Sequence, residues 1–513
     1  MLSQFLRKVG CAWSFNGTSV HTRRSVFYRC IKGLMSLKEL KEKFVSDLSG
    51  GPIDEIYAVT AIALAGFFSH SILKKYVFPN FDVLNSQPAK FLVEFYFDVM
   101  LLLQSITIYS SQIGKLYFNA LFVPIVAMIY VAFTSTKKGP SKQKHKTSTE
   151  LLGRKSFITA YRAQMMIITN LAILAVDFHA FPRRFAKVET WGTSLMDMGV
   201  GSFVFSMGLA NSRAVIKKRA APSTQKDGYF RLVYNSTVKA FPVLILGIIR
   251  LVSVKSLEYQ EHESEYGIHW NFFITLGLLP VVLGLLDPIL NFVPRFFVAL
   301  AIGIVYEFAL QKTGLTAFIL NPSNRKDNLL TMNKEGICSF FGYLSIFIFG
   351  QSLGSFVLTT RKTPNNLLGM YSLKSKGKKW LTVSTTEGLL IASVFTMTIF
   401  YFVKESVYTG NISRRLANFP YVMWVVSYNC AFLLGYDVIE KLVGPISSSI
   451  LDSINNNGLA IFLSANLLTG LVNMSINTLD VGHGITYVIL TVYALIWTML
   501  AMFLHARKIY IKL

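Results

Sequence analysis

The chain has 513 residues, of which 52% are apolar and only 15% charged, and its formal net charge is +24. A soluble globular chain carries about 25% charged residues, so an ordinary soluble domain is excluded, and the continuous apolar runs exclude a barrel of alternating strands. The basic residues lie in short loops between those runs, which assigns them to topology and anionic headgroups rather than to nucleic acid.

Residues 1–34 carry six basic residues and no acidic one. This stretch reads as a basic extension, either poorly ordered or upstream of a true start at Met35, with a transit peptide as the sharper alternative. Residues 35–513 form one membrane domain. Its apolar runs, each long enough to cross about 30 Å of hydrocarbon as helix, predict an all-α polytopic protein with about 13 transmembrane helices. They fall near 54–73, 91–111, 116–135, 158–178, 192–212, 232–254, 269–286, 289–311, 336–358, 385–403, 419–440, 457–478 and 485–505. The seventh and eighth are parted only by the Pro-broken "GLLDPILNFVPRFF". No internal repeat of fixed period is visible. Cys11, Cys30, Cys338 and Cys430 form no CxxC pair, so neither a disulfide framework nor a metal site is inferred.

An odd number of spans puts the termini on opposite sides. The loops after the odd-numbered spans, with the C-terminal tail, carry more than twice the Lys and Arg of the opposite set. The positive-inside bias makes that first set cytosolic and the N-terminus lumenal. Nine basic residues in the first 53 weigh against this without reversing it.

The lumenal loop between spans four and five, "AVDFHAFPRRFAKVETWGTSLMDMG", crowds charges between two apolar runs. Asp177 closes span four, where neither the helix dipole nor lipid favours a carboxylate. It reads either as a general base tuned by partial burial or as a structural partner of Arg183 or Arg184. Asn170 continues the polarity inward on the same helical face. Lys187 is suited to orienting a carboxylate or stabilising a carbonyl oxyanion, and the forked donors of Arg183 and Arg184 suit a phosphate. Glu94 and Asp98 share one face of span two with Ser105 and Tyr109 and are read as a cavity lining, with Arg162 or Arg250 as partners otherwise. His269, at the edge of span seven, is a possible base more often found as an interfacial residue. Glu258, Glu261, Glu263 and Glu265 read as a solvated face. Asn455, Asn456, Asn457, Asn466 and Asn473 can bond a polyol headgroup or neighbouring helices. Asn16 and Asn411 are the sequons placed for glycosylation.

Five stretches carry a resemblance: "VDFHAFPRRFAKVETWGTSLMDMGVGSFVFS", "LEYQEHESEYGIHWNFFITL", "SRRLANFPYVMWVVSYN", "SINNNGLAIFLSANLLTGLVNMS" and "RKIYIKL". From about Ser36 to Leu513 the chain resembles the fungal branch of the glucosaminyl-phosphatidylinositol inositol acyltransferase family. The resemblance implies a multi-pass endoplasmic reticulum enzyme with a lumenal N-terminus and a cytosolic C-terminus. Its implied reaction moves a fatty acyl group, usually palmitoyl, from coenzyme A to the inositol of glucosaminyl-phosphatidylinositol, early in GPI-anchor biosynthesis. The Asp and Lys of the family's "DF…FPRRFAK" motif, taken as acyl-transfer residues, fall on Asp177 and Lys187. Acyl-CoA is then a co-substrate, no cofactor is permanently bound, and Arg183, Arg184, Glu94, Asp98, His269 and Asn473 are candidate substrate contacts. The rival readings are a lipid transporter or scramblase using the buried carboxylates, a different acyltransferase using His269 as base, and a non-catalytic scaffold.

Overall fold

An apolar run in lipid must satisfy its backbone polar groups within itself, which leaves it the helix. The computed structural model describes residues 37–82, 86–134, 151–220, 228–256, 263–321, 325, 327–360, 382–406 and 411–511. Among these the chain is all-α, with no strand beyond one isolated bridge between Gly50 and Thr193. The basic extension 1–34 and its Asn16 sequon lie outside the described residues, as do Glu258 and Glu261.

Each of the 13 expected segments falls on helix. Among the described residues, nine helices are long and apolar enough to cross a membrane by themselves. The other four depart from the expected runs for local reasons. The run at 91–111 is helix Gln87–Phe95, a π-helical turn Tyr96–Met100 and helix Leu101–Ser105, followed by turns to Ser111. The Leu195–Ala220 helix continues into a basic end with Arg213, Lys217 and Lys218. Helix Phe272–Leu285 starts late, because the Asn271 side chain accepts from the N–H groups of Phe273 and Ile274 and fixes its first turn. Arg295–Lys312 starts only after Pro294, with Asp287–Phe292 a separate short helix before it; proline sets the entry dihedral and gives up no helical bond there.

Successive long helices run in opposite directions between two polar ends. Helix Ile53–Ile72 begins where Gly51 N–H donates to Thr193 O at 2.8 Å. It leads to Lys74, whose Nζ is 3.4 Å from Glu94, and Lys75, which donates to the Val443 carbonyl. Its 20 residues, at about 1.5 Å each, set the ends about 30 Å apart. At the centre, Leu195–Ala220 and Lys334–Val357 touch backbone to backbone through Gly208 and Gly350. A Cβ there would lie 2.1 Å from Phe347 O and 2.3 Å from Phe205 O. Phe419–Val443 completes the centre with fully buried Tyr421 and Trp424.

Candidate active site

At the end of helix Ser156–Ala175 the chain turns tightly, with Asp177 N–H donating to Leu174 O and Phe178 N–H to Ala175 O. The turn lifts Asp177 off the helix and faces it to the end of helix Gly458–Ser475. Asn473 Nδ2 donates to Asp177 Oδ2 at 2.7 Å, and Lys41 Nζ donates to Asn473 Oδ1 at 3.1 Å. Lys41 belongs to the helix Leu37–Val45, which precedes the first span. Burial pushes the Asp177 carboxyl above the usual carboxylate range, and the Asn473 amide, Lys41 and Arg183 pull it part of the way back. Asn170, two turns earlier, is fully buried, and neither of its amide atoms has a partner among the described residues.

Neither arginine binds Asp177. Arg183 donates through Nη2 to the carbonyls of Phe178 and Phe181 at 3.0 and 2.9 Å, and its guanidinium carbon lies 3.9 Å from the centre of the Phe44 ring. Its Nη1 is buried with no partner among the described residues. Burial lowers the Arg183 pKa to about 10, with Asp177 opposing, so it stays a cation at neutral pH. Arg184 is committed elsewhere, with its Nε 2.9 Å from both oxygens of Glu55. His179, whose ring centre is 4.6 Å from that of Phe44, is pushed down by its partial burial and by Arg183 and His483.

Lys187 anchors a second cluster. Its Nζ donates to Glu265 Oε1 at 2.7 Å, Arg414 Nη1 donates to the same oxygen at 3.1 Å, and Arg414 Nε donates to Asp197 Oδ1 at 2.6 Å. Asp197 is fully buried and also accepts from the Ser194 hydroxyl and the Val188 N–H, at 2.7 and 3.1 Å. Burial pushes the Glu265 carboxyl up, but Lys187 and Arg414 outweigh it and hold the pKa at about 2. Glu265 therefore does not join a solvated face; it is an inner member of this chain of charges. Beside it, buried Glu335 accepts from Arg415 at 3.2 Å and from Arg325. Breaking a buried pair of this kind costs about 3–5 kcal/mol, so the cluster fixes loops 186–197, 263–269 and 411–418 against one another.

A family model named GWT1 matches residues 37–504, the span that holds every group just described. The chain belongs to the GWT1 family. It is 54% identical over 491 residues to the GPI-anchored wall transfer protein 1 of Candida albicans, covering 93% of this chain and 99% of that one. The protein of the same name in Debaryomyces hansenii is 53% identical over 501 residues, covering 94% of this chain and all of that one, and that of Saccharomyces cerevisiae is 43% identical over 500 residues with the same coverage.

In this GWT1 chain the remaining candidates lie apart from Asp177. Glu94 and Asp98 sit at the opposite end of the bundle, against the start of helix Ser449–Asn456. Glu94 Oε2 accepts from the N–H groups of Ser449 and Ile450, at 2.9 and 3.2 Å, and Asp98 Oδ2 accepts from the Ser448 hydroxyl at 2.6 Å. They cap helix Ser449–Asn456, whose exposed N–H groups favour a carboxylate. Arg162 and Arg250 are not their partners: Arg162 Nε is 3.3 Å from the Ser206 hydroxyl, and Arg250 faces the Phe273 ring. The backbone of His269 is tied to Asn333 Oδ1 at 2.8 Å, and its Nδ1 is buried without a partner among the described residues. Asn457 clamps the C-terminal tail through Ile509 O and Ile511 N–H, at 3.1 and 2.9 Å. Asn411 is exposed beside the Arg414 turn. Sequence reasoning missed Lys41, Glu55 and Glu335. Glu55 and Glu335 each left a signal, an acid in the first turn of an apolar run, and Lys41 left none.

Proposed function

We propose that this protein transfers a fatty acyl group, palmitoyl by resemblance, from acyl-CoA to the inositol ring of glucosaminyl-phosphatidylinositol in GPI-anchor biosynthesis. Asp177 is the general base, at the lumenal face of the endoplasmic reticulum membrane. Membership of a family whose relatives are named for GPI-anchored wall transfer supports the pathway. The observation that carries the chemistry is the Asp177 carboxylate itself. It is partly buried and held by one neutral amide, and it is not neutralised by either adjacent arginine.

An inositol hydroxyl is a weak nucleophile and needs a base within hydrogen-bond reach. Asp177 Oδ2 is occupied by Asn473, and Oδ1 takes no hydrogen bond from the described residues. In the proposed reaction Oδ1 accepts the inositol proton as the oxygen attacks the thioester carbonyl. The tetrahedral oxyanion is assigned to Lys187, whose ammonium keeps two donors beyond its bond to Glu265. Its collapse breaks the C–S bond, and the protonated Asp177 returns the proton to the departing thiolate. The products are the inositol ester and coenzyme A. Arg183, with its unspent Nη1, is the phosphate ligand; Arg184, spent on Glu55, is a loop anchor.

Purified wild type and Asp177→Asn, given radiolabelled palmitoyl-CoA and glucosaminyl-phosphatidylinositol, test this reading. Wild type should acylate the inositol, and the variant should lose about 100-fold or more of kcat. Equal rates in both would return Asp177 to a structural role. No transfer by folded wild type would overturn the acyltransferase reading.

A further inference from the structure

A cavity of about 280 Å³ opens beside the Asp177 loop. Thr107 and Ile108, in the turns after helix Leu101–Ser105, and Ala180 of the Asp177 loop line it. So do the first two turns of helix His483–Ala506, through Thr486, Tyr487 and Leu490. One turn further along that helix, Tyr493 Oη donates to Asn170 O at 2.9 Å, on the helix that delivers Asp177.

Resting on the acyltransferase reading, we propose that this cavity is the lateral entrance for the acceptor lipid. It seats the glycerol and the first acyl carbons while the inositol reaches Asp177. Three observations favour a bilayer-anchored glycerophospholipid. The mouth opens beside an exposed apolar side chain, Ile108 of its wall, which is 60% exposed. An amphiphile held in a membrane arrives across such apolar surface. At about 280 Å³ the cavity lies at the lower edge of the ~300–1,000 Å³ of small-ligand pockets, room for a segment of a phospholipid with the tails left in lipid. Finally, its wall carries a polar group waiting for a partner. Thr491 and Thr469 spend their hydroxyls on the preceding turn, at Tyr487 O and Ala465 O; Thr486 and Thr498 do not, and of these two it is Thr486 that lines the cavity. The Thr486 hydroxyl is 1% exposed and has no partner among the described residues. A glycerol or ester oxygen supplies one. At its rim, His483, which also lines the cavity, and the free first-turn N–H groups of a 24-residue helix suit the phosphodiester.

The test fills the mouth with Ile108→Trp, at a position exposed enough to tolerate the ring, and removes the hydroxyl with Thr486→Val. For Ile108→Trp the KM for glucosaminyl-phosphatidylinositol should rise about tenfold, the loss of one good contact, while the KM for palmitoyl-CoA holds; Thr486→Val should shift in the same sense. A rise in the KM for palmitoyl-CoA instead would assign the cavity to the donor chain and overturn the proposal, as would no change in either. If wild type transfers no acyl group, the acyltransferase reading fails and the cavity is judged by binding alone. Phosphatidylinositol bearing a diazirine near the start of one acyl chain should then label the 104–111 or 483–490 segment of wild type and not of Ile108→Trp. Labelling elsewhere would sink the entrance.

Discussion

Lys41 can only donate, and that settles which way Asn473 faces. An amide beside an ammonium must present its oxygen to it, which turns its NH₂ toward Asp177. Lys41 thus acts on the carboxylate twice, by orienting the amide and by its own charge. A general base works only when ionised, so activity should fall as pH drops through the raised Asp177 pKa. Lys41→Met removes a cation and frees the amide to flip, which raises that pKa further. The acid limb of the kcat/KM profile should therefore move to higher pH, whereas Lys41→Arg should hold it in place. An unmoved limb in Lys41→Met would make this contact packing alone. The sequence exposed Asp177, because a carboxylate ending an apolar run needs a reason, but it concealed Lys41. The partners Lys41, Asn473 and Asp177 are joined only by the tertiary fold, and nothing in the spacing of "LKELKEKFV" points to a site. Glu265 shows the same limit from the other side. A run of four glutamates reads as solvated until Arg414, far along the chain, is brought against one of them.

At the scale of elements, hydropathy located every long helix, because the bilayer leaves an apolar run few alternatives. It misjudged ends and breaks, which follow from single residues such as Asn271, Pro294 and the turn at Tyr96–Met100. It also said nothing of which helices touch. Helix pairs in membranes associate through small residues that let backbones approach, and Gly208 and Gly350 mark that contact between Leu195–Ala220 and Lys334–Val357. Because the obstructing atoms are backbone, neither helix can give way by a rotamer change. Gly208→Val or Gly350→Val should destabilise the bundle by about 1–3 kcal/mol, the usual penalty of overpacking. Thermal unfolding of the detergent-solubilised protein should show a lowered midpoint. Gly470→Ala, inside helix Gly458–Ser475 where an added Cβ meets nothing within 4 Å, is the control and should not lower the midpoint, since alanine favours the helix over glycine. An unaltered midpoint in both valine variants would mean that the two helices do not pack at this distance.

Across the whole molecule the two ends differ in how their charges are used. At the Asp177 end most of the cations named above are matched by acids: Lys187 and Arg414 by Glu265, Arg414 by Asp197, Arg184 by Glu55 and Arg415 by Glu335; Lys41 and Arg183 stand outside these pairs. The Glu94 end carries Lys74, Lys75, Lys155 and Lys218; Lys74 and Lys218 pair with Glu94 and Asp287, while Lys75 donates to the Val443 carbonyl and Lys155 to that of Val357. A surplus of lysine and arginine in short loops is the signature of the cytosolic face, while paired charges at the other end build a site without adding to it. The alternating helices set Leu37–Val45 and the C-terminal tail at opposite ends, so one measurement fixes both. Asn80, exposed at the Glu94 end, and Gln112, exposed at the Asp177 end, can each be replaced by cysteine in a background lacking the four natural ones. In sealed microsomes a membrane-impermeant maleimide should label Asn80→Cys directly and Gln112→Cys only after detergent. The reverse pattern would place Asp177 in the cytosol, on the side where coenzyme A thioesters are made available without crossing the bilayer. The lumenal direction assigned to the acyl transfer would then have to be turned over with the protein.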